Sequence, residues 1–139
     1  MITKKAGTIL INLKDKQIAL IYRPSKNDYS FPKGHLEPNE TLQECAVRET
    51  EEETLRANHL LFGEEAYIDK YVTPAGEDVE NHMYIAIDDG PTTKEIREED
   101  REIVEWYNFE EVEEKLSYES LKKFWEHVKD NVRRILEKI

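Results

Sequence analysis

The 139-residue chain is poor in the residues that staple, hinge or neutralise. Its single cysteine, Cys45, excludes an internal disulfide, and nothing calls for an oxidising compartment, so a cytoplasmic location is expected. Five Gly and five Pro are scattered singly, with no linker, repeat or low-complexity tract, so residues 1–139 are expected to form one domain. Positive charge is scarce: 20 Lys and Arg stand against 31 Asp and Glu, a net charge of -11. Stable nucleic-acid binding is not expected of such a chain, because Lys and Arg supply most of that affinity; if it handles phosphates, a cation must intervene. Long apolar runs are missing as well. Ala6 to Leu13 is too short and too interrupted for a signal or membrane segment and ends at Lys14-Asp15-Lys16, so no membrane partner is expected.

What is present suffices for one core, with 38% hydrophobic residues beside 37% charged ones. Ala6 to Leu13 and Gln17 to Tyr22 are aliphatic runs around a short polar break, a hairpin signal. Arg23 to Asn39 holds three prolines and Gly34 and is expected to be an irregular, functional loop. Glu40 to about Arg56 has neither Pro nor Gly and predicts a helix, with Asn39 and Glu40 at its start. Glu65 to Thr73, Val79 to Ile87 and Ile103 to Phe109 read as strands. From Ser117 to Ile139, Leu121, Trp125, Val128, Val132, Ile135 and Ile139 recur at alternating four and three spacing, widened by Phe124 and Leu136, which predicts a long amphipathic helix. That stripe would pack on its own sheet or form a dimer seam, leaving monomer and homodimer both open.

The helix after the loop carries an arrangement that local rules oppose. At about 100° per residue, Leu42, Cys45 and Ala46 fall within roughly 60° of Glu49, and so do Glu52 and Glu53. The acids continue the apolar stripe, while Gln43, Glu44, Thr50, Glu51 and Thr54 mark the expected solvated face. Like charges at this spacing cost about 0.2 to 0.5 kcal/mol per pair, and the helix C-terminus disfavours them further. Arg48 reaches Glu52 at i+4 but cannot serve all three. A solvated charge run is the plain alternative. With no Cys or His at zinc spacing nearby, an oxygen-only set points to Mg²⁺ or Mn²⁺.

Gly34, Glu40, Arg48, Glu49, Glu52 and Glu53 stand at the spacing G-x5-E-x7-R-E-x-x-E-E, which resembles the Nudix box. Ser30-Phe31-Pro32-Lys33-Gly34-His35 in front of it, Ala6-Gly7 in the first strand and Trp106 in the strand after the acidic loop are similar to common features of that family, so the similarity covers most of the chain. The resemblance implies an α+β fold, a Nudix-like α/β/α sandwich with a mixed central sheet and a C-terminal helix over 117–139. The family's usual Gly two residues after the last box glutamate is replaced here by Leu55, which predicts a differently built turn.

The same resemblance implies a pyrophosphohydrolase that cleaves a nucleoside diphosphate linked to another group with metal-activated water. By position, Glu52 and Glu53 would be the principal metal ligands and Glu49 a further ligand or general base. Arg48 would orient the glutamates, Glu40 would tie loop to helix, and the carbonyl of Lys33 or Gly34 would complete the metal shell. One acid among Glu98, Glu99, Asp100 and Glu102 would join, with Glu99 preferred. Arg23, Lys33 and His35 are the candidate phosphate ligands, and Tyr71, His82 and Tyr84 could stack on a base, although aromatics there also serve as core. The segment Phe31 to His35 looks most like hydrolases of diadenosine tetraphosphate, releasing ATP and AMP. A mutator-type enzyme that removes oxidised nucleoside triphosphates is the alternative, and an inactive Nudix-fold binding module is the alternative of another class.

Overall fold

The first hairpin is made by side-chain chemistry in its turn. Asn12 Oδ1 accepts from the Asp15 amide at 2.8 Å, and Lys16 takes a left-handed φ of 54°, which reverses the chain between β1 (Ile2–Asn12) and β2 (Gln17–Arg23). The computed structural model describes residues 1–95 and 103–138. Strand β1 begins four residues earlier than expected because it runs parallel to β7 (Asp78–Pro91) from Ile2 opposite Asp78 to Ile11 opposite Ile87. The loop expected to be irregular contributes two short strands, β3 (Asp28–Ser30) on β2 and β4 (Lys33–His35) on β1. Two further strands, β5 (Arg56–Leu60) and β6 (Tyr67–Val72), pair antiparallel with successive parts of β7, and β8 (Ile103–Asn108) pairs with β2. Among the described residues, eight strands form one mixed sheet in which only β1 and β7 are parallel.

Alternation along the central strands divides the core. Ile9, Ile11, Met83, Ile85 and Ile87 face one side, where α2 (Phe109–Lys115) and α3 (Glu119–Glu137) cover them. Ala6, Leu10, Tyr84 and Ala86 face the other, Ala6 and Tyr84 under α1 (Leu42–Thr54) and Leu10 and Ala86 against Leu60, Val104 and Trp106. This is the expected α+β sandwich. Helix α3 uses its stripe against its own sheet: Phe124, Trp125, Val128, Val132 and Leu136 are buried, while Leu121 and Ile135 flank them. The expected stripe is therefore recentred on Phe124 and Leu136, and Ile139 lies outside the described residues. Helix α2 was not anticipated; Glu111 accepts from the Asn108 amide at 2.9 Å, half of a capping box that an N-x-x-E reading would have found. No helix among the described residues is long and apolar enough to cross a membrane.

Helix α1 departs from expectation at both ends and around its circumference. Its cap is Thr41, not Asn39 or Glu40: Thr41 Oγ1 accepts from the Glu44 amide at 3.1 Å and the Glu44 carboxylate accepts from the Thr41 amide at 2.9 Å. Its buried face holds Cys45, Ala46, Thr50, Glu51 and Thr54, rotated by roughly 100° from the face that contains Glu49. The threonines are tolerated inside because their hydroxyls are paired, Thr50 with Thr8 at 2.8 Å and Thr54 with the Thr50 carbonyl at 2.6 Å. Glu51 is covered by Thr92 and Lys94, at 2.5 and 2.8 Å; burial would raise its carboxyl, but these two partners hold it below the usual value.

The helix ends on Leu55, which adopts φ 59° and ψ 31° and donates its amide to the Glu51 carbonyl at 2.9 Å. The turn is thus the ordinary left-handed cap made by a leucine, contrary to the expected rebuilding. Leu55→Gly is expected to raise unfolding stability by about 0.5 to 1 kcal/mol, since a branched residue is strained there while the side chain is only partly covered. Urea denaturation checks this; a lower midpoint would show that the Leu55 side chain packs more than it strains.

Candidate active site

Two close backbone approaches bring β4 beneath the end of α1. A Cβ on Gly7 would lie 2.1 Å from the Pro32 carbonyl oxygen, so glycine there lets the Pro32-Lys33 segment cross β1, where Thr8 donates to Pro32 O at 3.1 Å. A Cβ on Gly34 would lie 2.0 Å from Glu49 Oε2, so the Glu49 carboxylate fills the place of the missing side chain. The alternation of β4 turns Gly34 toward α1 and Lys33 and His35 toward the opposite side.

Arg48 is the hub of the acids. Its Nε and Nη2 bind the two Glu40 oxygens at 2.6 and 3.0 Å, Nη1 lies 2.7 Å from Glu49 Oε1 and 3.3 Å from Glu52, and Nη2 donates to the His35 carbonyl at 3.0 Å. The bidentate partner is Glu40 rather than the i+4 acid Glu52. Arg48 holds the Glu40 carboxyl below its usual value and so ties the loop to the helix. Burial pushes the Glu49 carboxyl up against the opposing pull of Arg48. Glu53 Oε1 accepts from the Lys33 amide at 2.7 Å, which anchors the loop a second time.

The three box glutamates lie beside the buried face of α1, with Glu49 at 17% and Glu52 at 46% side-chain exposure. Adjacent turns of one helix carry all three; Glu49 meets the backbone at Gly34 and Glu53 the amide of Lys33. As the side chains stand, no three metal-ligating groups converge on one point among the described residues. The donor set nevertheless fits a hard divalent cation: every candidate ligand is an oxygen, Gly34 makes room for the Glu49 carboxylate, and among the described residues Glu52 is held only by long contacts to Arg48.

The other candidates separate. Lys33 is half-buried and His35 exposed on β4. Arg23 forms a fork on Asp28 at 2.8 and 2.5 Å, committed to loop structure. Its guanidinium holds Asp28 down to about 2, with Tyr118 adding a second hydrogen bond. A depressed carboxyl contributes stability that is complete above its unfolded value of 3.8 and is lost as pH falls toward 2. Asp28→Asn is therefore expected to remove about 2 kcal/mol at pH 7 and to flatten the acid limb of the stability profile between about pH 4 and 2, read by denaturation at each pH.

Tyr84 is a core residue and offers no face to a base: it is 1% exposed, packed with Ala6, Cys45 and Ala46 under α1. His82 is likewise buried, between Glu65 at 3.0 Å and Glu80 at 3.2 Å. Tyr71 stays half-buried on β6; burial, then Asp69 and Glu77, push its phenol up. Glu98, Glu99, Asp100 and Glu102 lie outside the described residues. Sequence reasoning overlooked Asp69 and Asn81, which face each other across β6 and β7 beside Lys33; the signal was a polar residue at the inward phase of each strand.

This constellation, a loop and helix clamped by one arginine with three carboxylates beside a glycine cradle, coincides with a known domain. The model of the NUDIX domain matches residues 1–128, and the chain belongs to the Nudix family of pyrophosphohydrolases. Solved structures share the fold. An Ap4A hydrolase of C. elegans, solved as a binary complex, is similar with a TM-score of 0.75 at 18% identity, covering 99% of both chains. A NUDIX hydrolase from Nitrosomonas europaea also has a TM-score of 0.75, at 16% identity over 94% of this chain and 90% of its own. A NUDIX-family hydrolase from Clostridium perfringens reaches 0.72 at 14% identity, covering 95% and 97%.

Proposed function

We propose that the chain acts as one domain, in the cytoplasm, and hydrolyses dinucleoside polyphosphates such as diadenosine tetraphosphate to ATP and AMP with Mg²⁺ or Mn²⁺ bound. The observation that carries this reading is the clamp of Arg48 on Glu40, Glu49 and the His35 carbonyl, beside which Glu49 fills the Gly34 cradle and Glu53 accepts from the Lys33 amide. Glu52 and Glu53 would hold the cation, with Glu49 and the Lys33 carbonyl beside them and Glu99 as the further acid. Such a cation, when bound, neutralises the phosphates and makes water a nucleophile near neutral pH. Glu49, whose proton affinity burial raises, takes the proton of the attacking water. Arg48 positions Glu49, and Lys33 and His35, on the opposite side of β4, grip the remainder of the phosphate chain.

Hydrolysis of diadenosine tetraphosphate in H₂¹⁸O tests this. ATP and AMP are expected, with the label in AMP, because water attacks the phosphorus that stays with AMP while its bond to the oxygen of the departing ATP breaks. Lys33→Ala and His35→Ala are expected to weaken the tetraphosphate more than a short diphosphate substrate. Two ADP, or a strong preference for an oxidised triphosphate, would reject the substrate reading and favour the mutator-type alternative. No hydrolysis of any nucleotide with either metal would leave a binding module.

A further inference from the structure

Positive charge is scarce in this chain, yet the sheet gathers three basic side chains in one place. Where β1 pairs with β4, Lys5 stands directly opposite His35 and Gly7 opposite Lys33, so Lys5, Lys33 and His35 share the sheet face turned away from α1. Gly7 fixes the side, since a Cβ there would lie 2.6 Å from the Lys33 Cβ. Lys5 is half-buried, and among the described residues no carboxylate forms an ion pair with it. Its neighbour Lys4 points to the other face, where its row continues through Glu80 to Lys70. The row of Lys5 runs through Asn81 to a single acid, Asp69, whose carboxyl is pushed up by burial against the opposing pull of the Lys33 charge.

Basic groups gathered on one face repel one another when charged, and an anion among them turns that repulsion into attraction. Among the described residues β4 pairs with β1 alone, so its outer edge is open. The box carboxylates reach that same strand, Glu49 at Gly34 and Glu53 at the Lys33 amide. A phosphate chain held at the box therefore meets the basic face by passing round one edge strand. Neighbouring strands lie about 4.7 to 4.9 Å apart, a gap that the four-carbon stem of a lysine spans. We propose that Lys5 binds phosphates of the substrate beyond the cleaved bond, completing one anion-binding row with Lys33 and His35, and thereby sets a preference for long polyphosphate chains. This rests on the reading of the protein as a polyphosphate hydrolase, but the contact itself needs no metal and no base.

Titration of metal-free ¹⁵N-labelled protein with inorganic tripolyphosphate tests the row directly. The Lys5 and His35 amides are expected to shift, and Lys5→Gln to weaken binding about fivefold, with Lys5→Arg close to the parent. Lys4→Gln removes the same charge from the opposite face and is expected to change the affinity less than about twofold. In the metal-loaded enzyme Lys5→Gln should raise KM for diadenosine tetraphosphate about fivefold, spare kcat, and leave KM for diadenosine diphosphate unchanged. Equal weakening by Lys4→Gln and Lys5→Gln, or no shift at Lys5, would overturn the proposal and reduce the effect to net charge. Tripolyphosphate binding that depends on Lys5 in a protein that hydrolyses no nucleotide would uphold the row and reject the hydrolase reading; hydrolysis whose KM is indifferent to Lys5 at every chain length would do the reverse.

Discussion

Glu52→Gln is expected to lower hydrolysis more than about 100-fold while leaving the fold intact. Loss of even an outer-shell partner at a metal site costs 10- to 100-fold, and Glu52 is proposed as a direct ligand. Its contribution to stability is small. The side chain is 46% exposed and its contacts to Arg48 are 3.3 and 3.4 Å, so the metal-free unfolding free energy should change by no more than about 0.5 kcal/mol. Removing one of three neighbouring negative charges also relieves repulsion within α1. Steady-state rates with Mg²⁺ and thermal unfolding in EDTA are the two measurements. Undiminished activity, or wild-type activity that is the same in EDTA, would end the metal assignment for this helix.

Arg48→Ala is expected to do the opposite in the absence of metal, costing about 2 to 3 kcal/mol of stability at neutral pH. Breaking a buried pair costs 3 to 5 kcal/mol, and the partial exposure of Arg48, 23%, reduces that. Glu40, at 12% exposure, and Glu49, at 17%, would be left near each other without the cation that both contact. The pH dependence follows from the signs. In the parent protein Arg48 depresses the Glu40 carboxyl, so this contribution is present above the usual value of 4.5 and is lost as pH falls through the depressed one. In the variant the stranded carboxylates gain protons more readily when folded, so its stability improves as pH falls. The gap between the two proteins therefore narrows in acid. Arg48→Lys should recover little, because a lysine cannot span both Glu40 oxygens, Glu49 and the His35 carbonyl. Urea titrations at neutral and acid pH decide it; a gap that does not change with pH would mean that Arg48 acts by packing alone.

The box was legible because its parts are local: Glu40, Arg48, Glu49, Glu52 and Glu53 span four helical turns at most, and helical spacing alone juxtaposes the last four. The long runs Val79 to Ile87 and Leu121 to Leu136 were legible for the same reason, since periodicity follows from backbone geometry. Strands β3, β4 and β5 were not, because segments of three to five residues with prolines nearby carry too little periodicity and exist through pairing with distant partners. Leu55 misled for a related reason. Propensity argued against a left-handed leucine, yet burial of Thr50, Glu51 and Thr54 holds the last turn in place and the strain is absorbed.

By itself the sequence determined the acid face, the arginine among the acids, the glycine in front of them and the amphipathic closing helix. Only the tertiary structure decided which face of α1 is buried, because Thr8, Thr92 and Lys94 come from β1 and from the segment after β7 to pair with Thr50 and Glu51. It also decided that Arg48 grips Glu40 rather than Glu52, that Tyr84 belongs to the core, and that Asp69 stands beside Asn81. Polar groups choose among several local partners by which one burial leaves within reach, and burial is a property of the assembled sheet and helices rather than of neighbours in the chain.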